Sequence, residues 1–404
     1  MGLGFFPLDE ALGLGGSRYS GQALSWMARL GAELPFARAA CWLRELTGIA
    51  VRATTVRRHT EALGATVVAR TETEVADLLA LTSPETERSV QSAAPDRLVL
   101  GVDGAMVPLR HGEWAEVKLV SVGVPTATGG AGGAPPAVRT TRLSYFARLA
   151  DADTFATQAL GELHRRGLDS AAAVAAVQDG APWLQGFVDY HRPDAVRILD
   201  WPHAAEHLTA VAEACFGGGM QAMRAATRLR TWLWQEGPTR VCAVLDGWQR
   251  AHPAQAALAT AIAYFRERRA HLDYPAFRAA GWPVGSGATE RGHKQVMQAR
   301  MKRAGMHWSR AQVNPLLALT LLEHNGRWAS EGPTLLTAHR AALVQRRRQR
   351  QQTRRHAPQL PRTVAPAAPL PPPPQRTPLP TPTSPPPPFR HPWRRYGAPL
   401  SAKI

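Results

Sequence analysis

The chain has 404 residues and a net charge of +17, with 34 proline, 34 glycine and three cysteines. Its length and 45% apolar content allow two or three domains with true cores, and Cys41, Cys215 and Cys242 lie too far apart in sequence for a disulfide framework or a zinc motif, pointing to a reducing compartment. No secretory pattern opens the chain, and the longest uncharged run, Leu119 to Val138, holds five glycines and three prolines, so it is no membrane span.

Residues 1–95 read as helical. Phe36 to Leu46 has apolar residues at helical spacing and stops at Gly48. A second helix is expected from Thr54 or Thr55 through Arg57 and Arg58 to Leu63-Gly64, which makes a helix-turn-helix candidate. An ordinary helical hairpin fits the same spacing. From Arg97 the pattern changes to strands at 98–102, 117–122 and 142–147, with a Gly/Pro-rich loop before the third. A helix at 153–166, a strand at 171–177, a short helix at 183–190 and a strand at 196–199 follow. This order predicts a mixed α/β core. Residues 204–280 read as a wholly helical block, and 286–326 as a final helical one. The stretch 341–404 contains 12 Lys+Arg, no Asp or Glu, and half of all prolines, so it is expected to be disordered. It carries 12 of the 17 net charges and leaves +5 on the rest.

Three predicted strands end in a carboxylate: Asp103, Asp179 and Asp200. Loops at the carboxyl ends of strands open onto a crevice in α/β sheets. Carboxylates that converge there repel one another, and a divalent cation relieves the repulsion. Each could equally be a turn or helix-capping residue. The run Trp282 to Glu290 adds a Gly-Ser-Gly turn before a helix whose first turn holds Glu290. Along and after that helix come Arg291, His293, Lys294, Arg300, Lys302, Arg303, His307 and Arg310. A carboxylate among cations suits a phosphate-backbone substrate, although Glu290 and Lys294 also match a surface i,i+4 ion pair.

The segments Val102-Asp103-Gly104, Trp114 to Lys118, Gln178 to Trp183, Ile198 to His203, Pro283 to Glu290 and Arg300 to Ser309 occur in this order. Together they resemble the bacterial insertion-sequence transposases of the ISKra type, DDE enzymes similar to Mutator-like transposases, over about residues 4–328. The resemblance implies an α/β, ribonuclease-H-like mixed-sheet core with an all-helical insertion, a helix-turn-helix-like N-terminal domain and a disordered tail. It divides the chain into a DNA-binding region at 1–95, core at 96–203, insertion at 204–280, the glutamate-helix part of the core at 281–340 and the tail at 341–404.

It further implies a DNA transposase that cuts element ends and transfers strands to target DNA. Mg2+, or Mn2+ in its place, would be bound by the catalytic set Asp103, Asp179 and Glu290. Asp200 and His203 match a signature near such active sites, with Asp200 the alternative second ligand. Arg57, Arg58, Arg291, Lys294, Arg300, Lys302, Arg303 and His307 are the expected DNA contacts. The partner is double-stranded DNA, both terminal inverted repeats and target, bound by a homo-oligomer in the bacterial cytoplasm at the nucleoid, with no membrane. The chain departs from the family in lacking a Cys-rich segment at its start and in its Pro/Arg-rich ending, so a truncated or decayed DNA-binding remnant is the alternative. A Pro-rich adaptor is a third reading.

Overall fold

The computed structural model describes residues 19–80, 95–129 and 137–356. Helices α1 (Gly21–Glu33), α2 (Phe36–Thr47) and α3 (Ala53–Ala80) come first. Ser20 caps α1, its hydroxyl accepting from the Ala23 amide at 3.2 Å. Gly48 ends α2 with φ 74°, a left-handed cap that glycine adopts without steric cost. The second predicted helix forms, yet it continues 16 residues past Gly64 to Ala80. Gly64 is not a stop signal. A Cβ there would lie 2.1 Å from the Pro315 carbonyl oxygen, so this glycine lets α3 press against a later helix.

Strands β1 (Arg97–Pro108), β2 (Trp114–Thr128) and β3 (Ala137–Arg148) form an antiparallel meander. They run well beyond the short predicted segments and into the Gly/Pro-rich stretch, of which 130–136 lie outside the described residues. Helix α4 (Ala152–Arg165) leads to β4 (Ala173–Gln178), α5 (Pro182–His191) and β5 (Val196–Leu199). The sheet order is β3-β2-β1-β4-β5, with β4 parallel to both β1 and β5. Among the described residues this is an α/β fold with a five-stranded mixed sheet and about 13 helices.

The predicted helical block comprises α6 (Trp201–Phe216), α7 (Gly219–Glu236), α8 (Pro238–Ala251), α9 (Ala256–Glu267) and α10 (Tyr274–Ala279). The last predicted block is broken rather than continuous. It contains α11 (Gly287–Gly292), a π-helical turn His293–Gln298, a short turn Ala299–Met301, and α12 (Arg310–His324). Helix α13 (Trp328–His356) closes the described chain. The segment expected to lack structure from 341 therefore begins as helix. No proline interrupts the sequence between Pro333 and Pro358, and the run between is rich in Ala, Leu, Gln and Arg, which favour helix.

Strand alternation divides the sheet's two faces. Leu98, Leu100, Val102, Val120, Val122, Val174 and Ala176 pack with Phe155, Leu163 and Phe187 of α4 and α5. The opposite face is covered in two parts. Val99, Ala175, Val177 and Ile198 meet the helical block through Leu208, Phe265 and Tyr274. Val117, Leu119 and Tyr145 meet Met297, Leu317 and Leu321, together with Leu63 and Val67 of α3. The N-terminal helices thus share a core with the sheet. Among the described residues, no helix is long and apolar enough to cross a membrane.

Candidate active site

Of the three carboxylates expected at strand ends, Asp179 and Asp200 directly follow β4 and β5, whereas Asp103 lies inside β1, which continues to Pro108 because its pairing with β2 runs on to Trp114. Gly101 pairs with Val177, so the same register extended by two residues sets Asp103 beside Asp179. Gln178 pairs with Leu199, which sets Asp179 beside Asp200, and the Asp200 amide donates to the Gln178 carbonyl at 2.8 Å. The three residues therefore fall at one level across β1 and the ends of β4 and β5, neighbouring strands whose backbones run about 4.8 Å apart. By alternation Asp103 shares the face of Val99 and Gly101, and Asp179 that of Ala175 and Val177.

The three differ in what holds them. Asp103 accepts from the Gly104 amide at 2.7 Å, and its Oδ2 lies 3.3 Å from Nε2 of the buried His293. Its side chain is 44% exposed. Asp179 accepts from the Ala181 amide at 2.9 Å and is half-buried. Its carbonyl accepts from the Tyr264 hydroxyl at 3.0 Å, and Arg268 donates to the next carbonyl, of Gly180, at 3.1 Å. Asp200 is only 7% exposed, and its Oδ1 accepts from the Ser286 amide at 2.7 Å. Burial raises its pKa, the nearby Glu290 charge adds to the rise, and the Ser286 amide opposes it. Asp200 thus ties the end of β5 to the Gly-Ser-Gly turn, as does the Trp201 amide donating to the Val284 carbonyl at 2.9 Å.

Glu290 sits in the first turn of α11, exposed, with Oε2 3.7 Å from Lys294 Nζ. The predicted i,i+4 ion pair is present, and it occupies one oxygen of a carboxylate that faces solvent. Helix α11 lies against β1 and β2 at very short range. Thr289 and Ser121 hydroxyls are 2.9 Å apart, and a Cβ on Gly101 would fall 2.1 Å from the Thr289 hydroxyl oxygen. A Cβ on Gly292 would meet the Tyr145 ring at 2.7 Å. Two glycines therefore decide how closely the glutamate helix approaches the sheet. The π-helical turn follows at once and turns His293 toward Asp103. Such turns recur at functional sites.

His203 lies in the first turn of α6, its Nε2 3.1 Å from His207 Nε2, and His207 stacks on Tyr264 with ring centres 4.1 Å apart. Among the expected DNA contacts, Arg57, Arg58, Arg291, Lys294, Lys302, Arg303 and His307 are exposed. Arg300 is not. It is 2% exposed, with its guanidinium between the rings of Phe36 at 4.8 Å and Trp308 at 4.7 Å, and it donates to the Gly31 carbonyl at 3.2 Å. Burial lowers its pKa to about 10. Its place is in the joint between the N-terminal helices and the turn that follows the glutamate helix, where a phosphate has no access.

Several residues at the site were not singled out from sequence. His293 stands 3.3 Å from Asp103, Ser286 holds Asp200, and Tyr264, Arg268 and Tyr274 reach from the helical block to the strand ends. His293 is three residues after Glu290 on one helix, a spacing that sequence does show. The tyrosines had no such signal. Among the described residues, no three His, Cys, Asp or Glu side chains stand close enough together to hold a metal ion as they are. No protein-family model matches this chain, and no curated protein matches it at a significant level.

Proposed function

We propose that this chain is a DNA transposase of the DDE type, similar to ISKra-type insertion-sequence enzymes, with a ribonuclease-H-like core. It would cut DNA at element ends and join the freed ends to target DNA by phosphoryl transfer, as an oligomer at the bacterial nucleoid. The observation that supports the reading is the parallel pairing of β1 with β4 up to Gly101 and Val177, two residues short of Asp103 and Asp179, with the Glu290 helix pinned across the same face of β1. A mixed sheet interrupted by a helical block before the glutamate helix is consistent with it.

The donor chemistry fits magnesium, or manganese in its place. Asp103, Asp179 and Glu290 offer hard oxygen ligands, and magnesium usually takes only one or two carboxylates, the rest being water and substrate phosphate. The absence of a ready three-ligand cluster does not conflict with that habit. Bound there, the metal would supply positive charge to the transferring phosphoryl group and make a coordinated water more acidic. The protein's own groups do the positioning. His293 is placed 3.3 Å from Asp103 to orient it, Asp200 anchors the turn that carries Glu290, and Tyr264 fixes the backbone at Asp179. Each of Asp179 and Asp200 accepts one backbone amide, and the half-buried Asp179 is the better second ligand because Asp200 is only 7% exposed. The exposed Arg291 and Lys294 face the strand's phosphates, and the α2–α3 pair, with Arg57 and Arg58 exposed, is the helix-turn-helix candidate for reading the terminal repeat.

The test is nicking of a duplex carrying the inverted repeats that flank the gene. Asp103→Ala, Asp179→Ala and Glu290→Ala should each abolish Mg2+-dependent nicking and spare duplex binding. Retained nicking in all three variants would refute the proposal.

A further inference from the structure

Beside the glutamate helix lies a groove of about 1030 Å3, and of its lining the roles above use only Arg291. One wall is the outer half of the β2–β3 hairpin, with Val138 and Arg139. The other is the end of the helical block, with Trp234 and Arg278. Its floor is the Gly281–Ala288 connection and the start of α11, including Val284 and Arg291. Glu290 stands in the same helical turn, and Asp200 fastens Ser286 within that floor.

Two features restrict the occupant. Three arginines reach the groove and none of the described residues lining it is Asp or Glu, so the lining is cationic and complements a polyanion. Most of the remaining lining is apolar: Val138, Val284, alanines, prolines and the Trp234 indole. Cations along a groove with apolar walls complement an unpaired nucleic-acid strand, since the cations follow the backbone and the walls accept the bases. Here the Trp234 ring is covered by Arg278 and stacked with Tyr274, so Val138, Val284 and the alanines and prolines offer the apolar contact. Arg278 is already ordered for this. It donates to the Trp234 carbonyl at 2.7 Å and its guanidinium lies 4.1 Å from the Trp234 ring centre. Arg139 is exposed on β3 and makes no ion pair among the described residues. A cleft this small admits a few unpaired nucleotides, whereas a double helix, whose major groove alone is roughly 12 Å wide, stays outside.

The geometry points to this groove as a binding site for a short single-stranded DNA segment next to the cleavage centre, held by Arg139, Arg278 and Arg291. It rests on the transposase reading for why a strand would be there, but strand binding is measurable without catalysis. The assay uses the full chain in metal-free buffer, with fluorescein-labelled (dT)10 and a labelled mixed-sequence duplex read by fluorescence anisotropy. Arg139→Ala and Arg291→Ala should each weaken (dT)10 binding about fivefold, the scale of one exposed ionic contact. Each should flatten the slope of log affinity against log salt by about 0.7. Val138→Glu, which puts a carboxylate in the wall, should weaken it at least as much. Duplex affinity of Arg139→Ala and Val138→Glu should change less than twofold. Equal losses for (dT)10 and duplex, unchanged (dT)10 affinity in these two variants, or no (dT)10 binding by the unmodified chain would each overturn the assignment. Nicking that fails while these differences hold would count against the transposase reading and leave the groove standing.

Discussion

Asp200 offers the sharpest separation between a ligand and a positioning residue. Its Oδ1 accepts from the Ser286 amide at 2.7 Å while the residue is 7% exposed. Asp200→Ala removes a hydrogen bond to a charged acceptor, worth about 1.5–3 kcal/mol, and leaves the Ser286 amide without its acceptor. The melting temperature should fall by several degrees, at roughly 2–4 °C for each kcal/mol in a domain of 150–250 residues. Nicking should fall with it, because the turn that carries Glu290 is released. Asp200→Asn retains an acceptor oxygen and the side-chain volume while removing the buried charge. Burial raises the Asp200 pKa above its ordinary 3.8, so its ionisation costs stability in the folded chain. That contribution is fully favourable below about 3.8 and is lost as pH rises through the raised value. The asparagine variant should therefore match the unmodified chain within about 1 kcal/mol near pH 7, and its stability profile should be flatter on the acid side. Scanning calorimetry across pH and the nicking assay together decide the matter. Recovered stability with recovered nicking supports positioning. Recovered stability with nicking still absent refutes it and makes Asp200 the second metal ligand in place of Asp179.

Three further outcomes are expected. Gly101→Ala would force a Cβ to within 2.1 Å of the Thr289 hydroxyl oxygen, costing about 1–3 kcal/mol by overpacking. Denaturant unfolding should show that loss, and nicking should fall further than stability because Glu290 moves with Thr289. Burial depresses His59 and His191 to about 4 from an ordinary 6.5, so both fold neutral. Their contribution is full above 6.5 and drains away as pH falls toward 4, which thermal melts at pH 7, 5.5 and 4.5 will register, with a smaller slope in His59→Phe. His293→Phe keeps a ring in the buried space but removes the nitrogen beside Asp103. The Mg2+ concentration for half-maximal nicking should rise, or the rate fall, by about 10–100-fold, and an unchanged metal dependence would exclude the orienting role.

Much of this was legible in the sequence because local patterns carry it. The strand at 196–199 and the helix at 183–190 follow from short apolar runs ended by polar residues, and the structure has them at Val196–Leu199 and Pro182–His191. Gly48 ends α2 as expected, because a left-handed residue is a local requirement. Gly64 looked the same in sequence and does the opposite, since its reason is a backbone 251 positions away at Pro315. The continuation of α3 past Gly64 was therefore out of reach of any local rule.

The candidate site divides in the same way. Sequence alone placed Asp179 and Asp200 after strands and Glu290 in the first turn of a helix, because chemical type and position along the chain are local facts. It ended β1 five residues early at Asp103, since the pairing with β2 that carries β1 to Pro108 is a contact between segments. Only the tertiary structure decided what each one touches. It buried Arg300 between two rings, set Asp200 to hold a turn, left Asp179 half-open, and brought Arg139, Arg278 and Arg291 to one groove from elements far apart in the chain. Burial and strand register arise from contacts between distant segments, and those contacts determine whether a charge is a ligand, a clasp or part of the core.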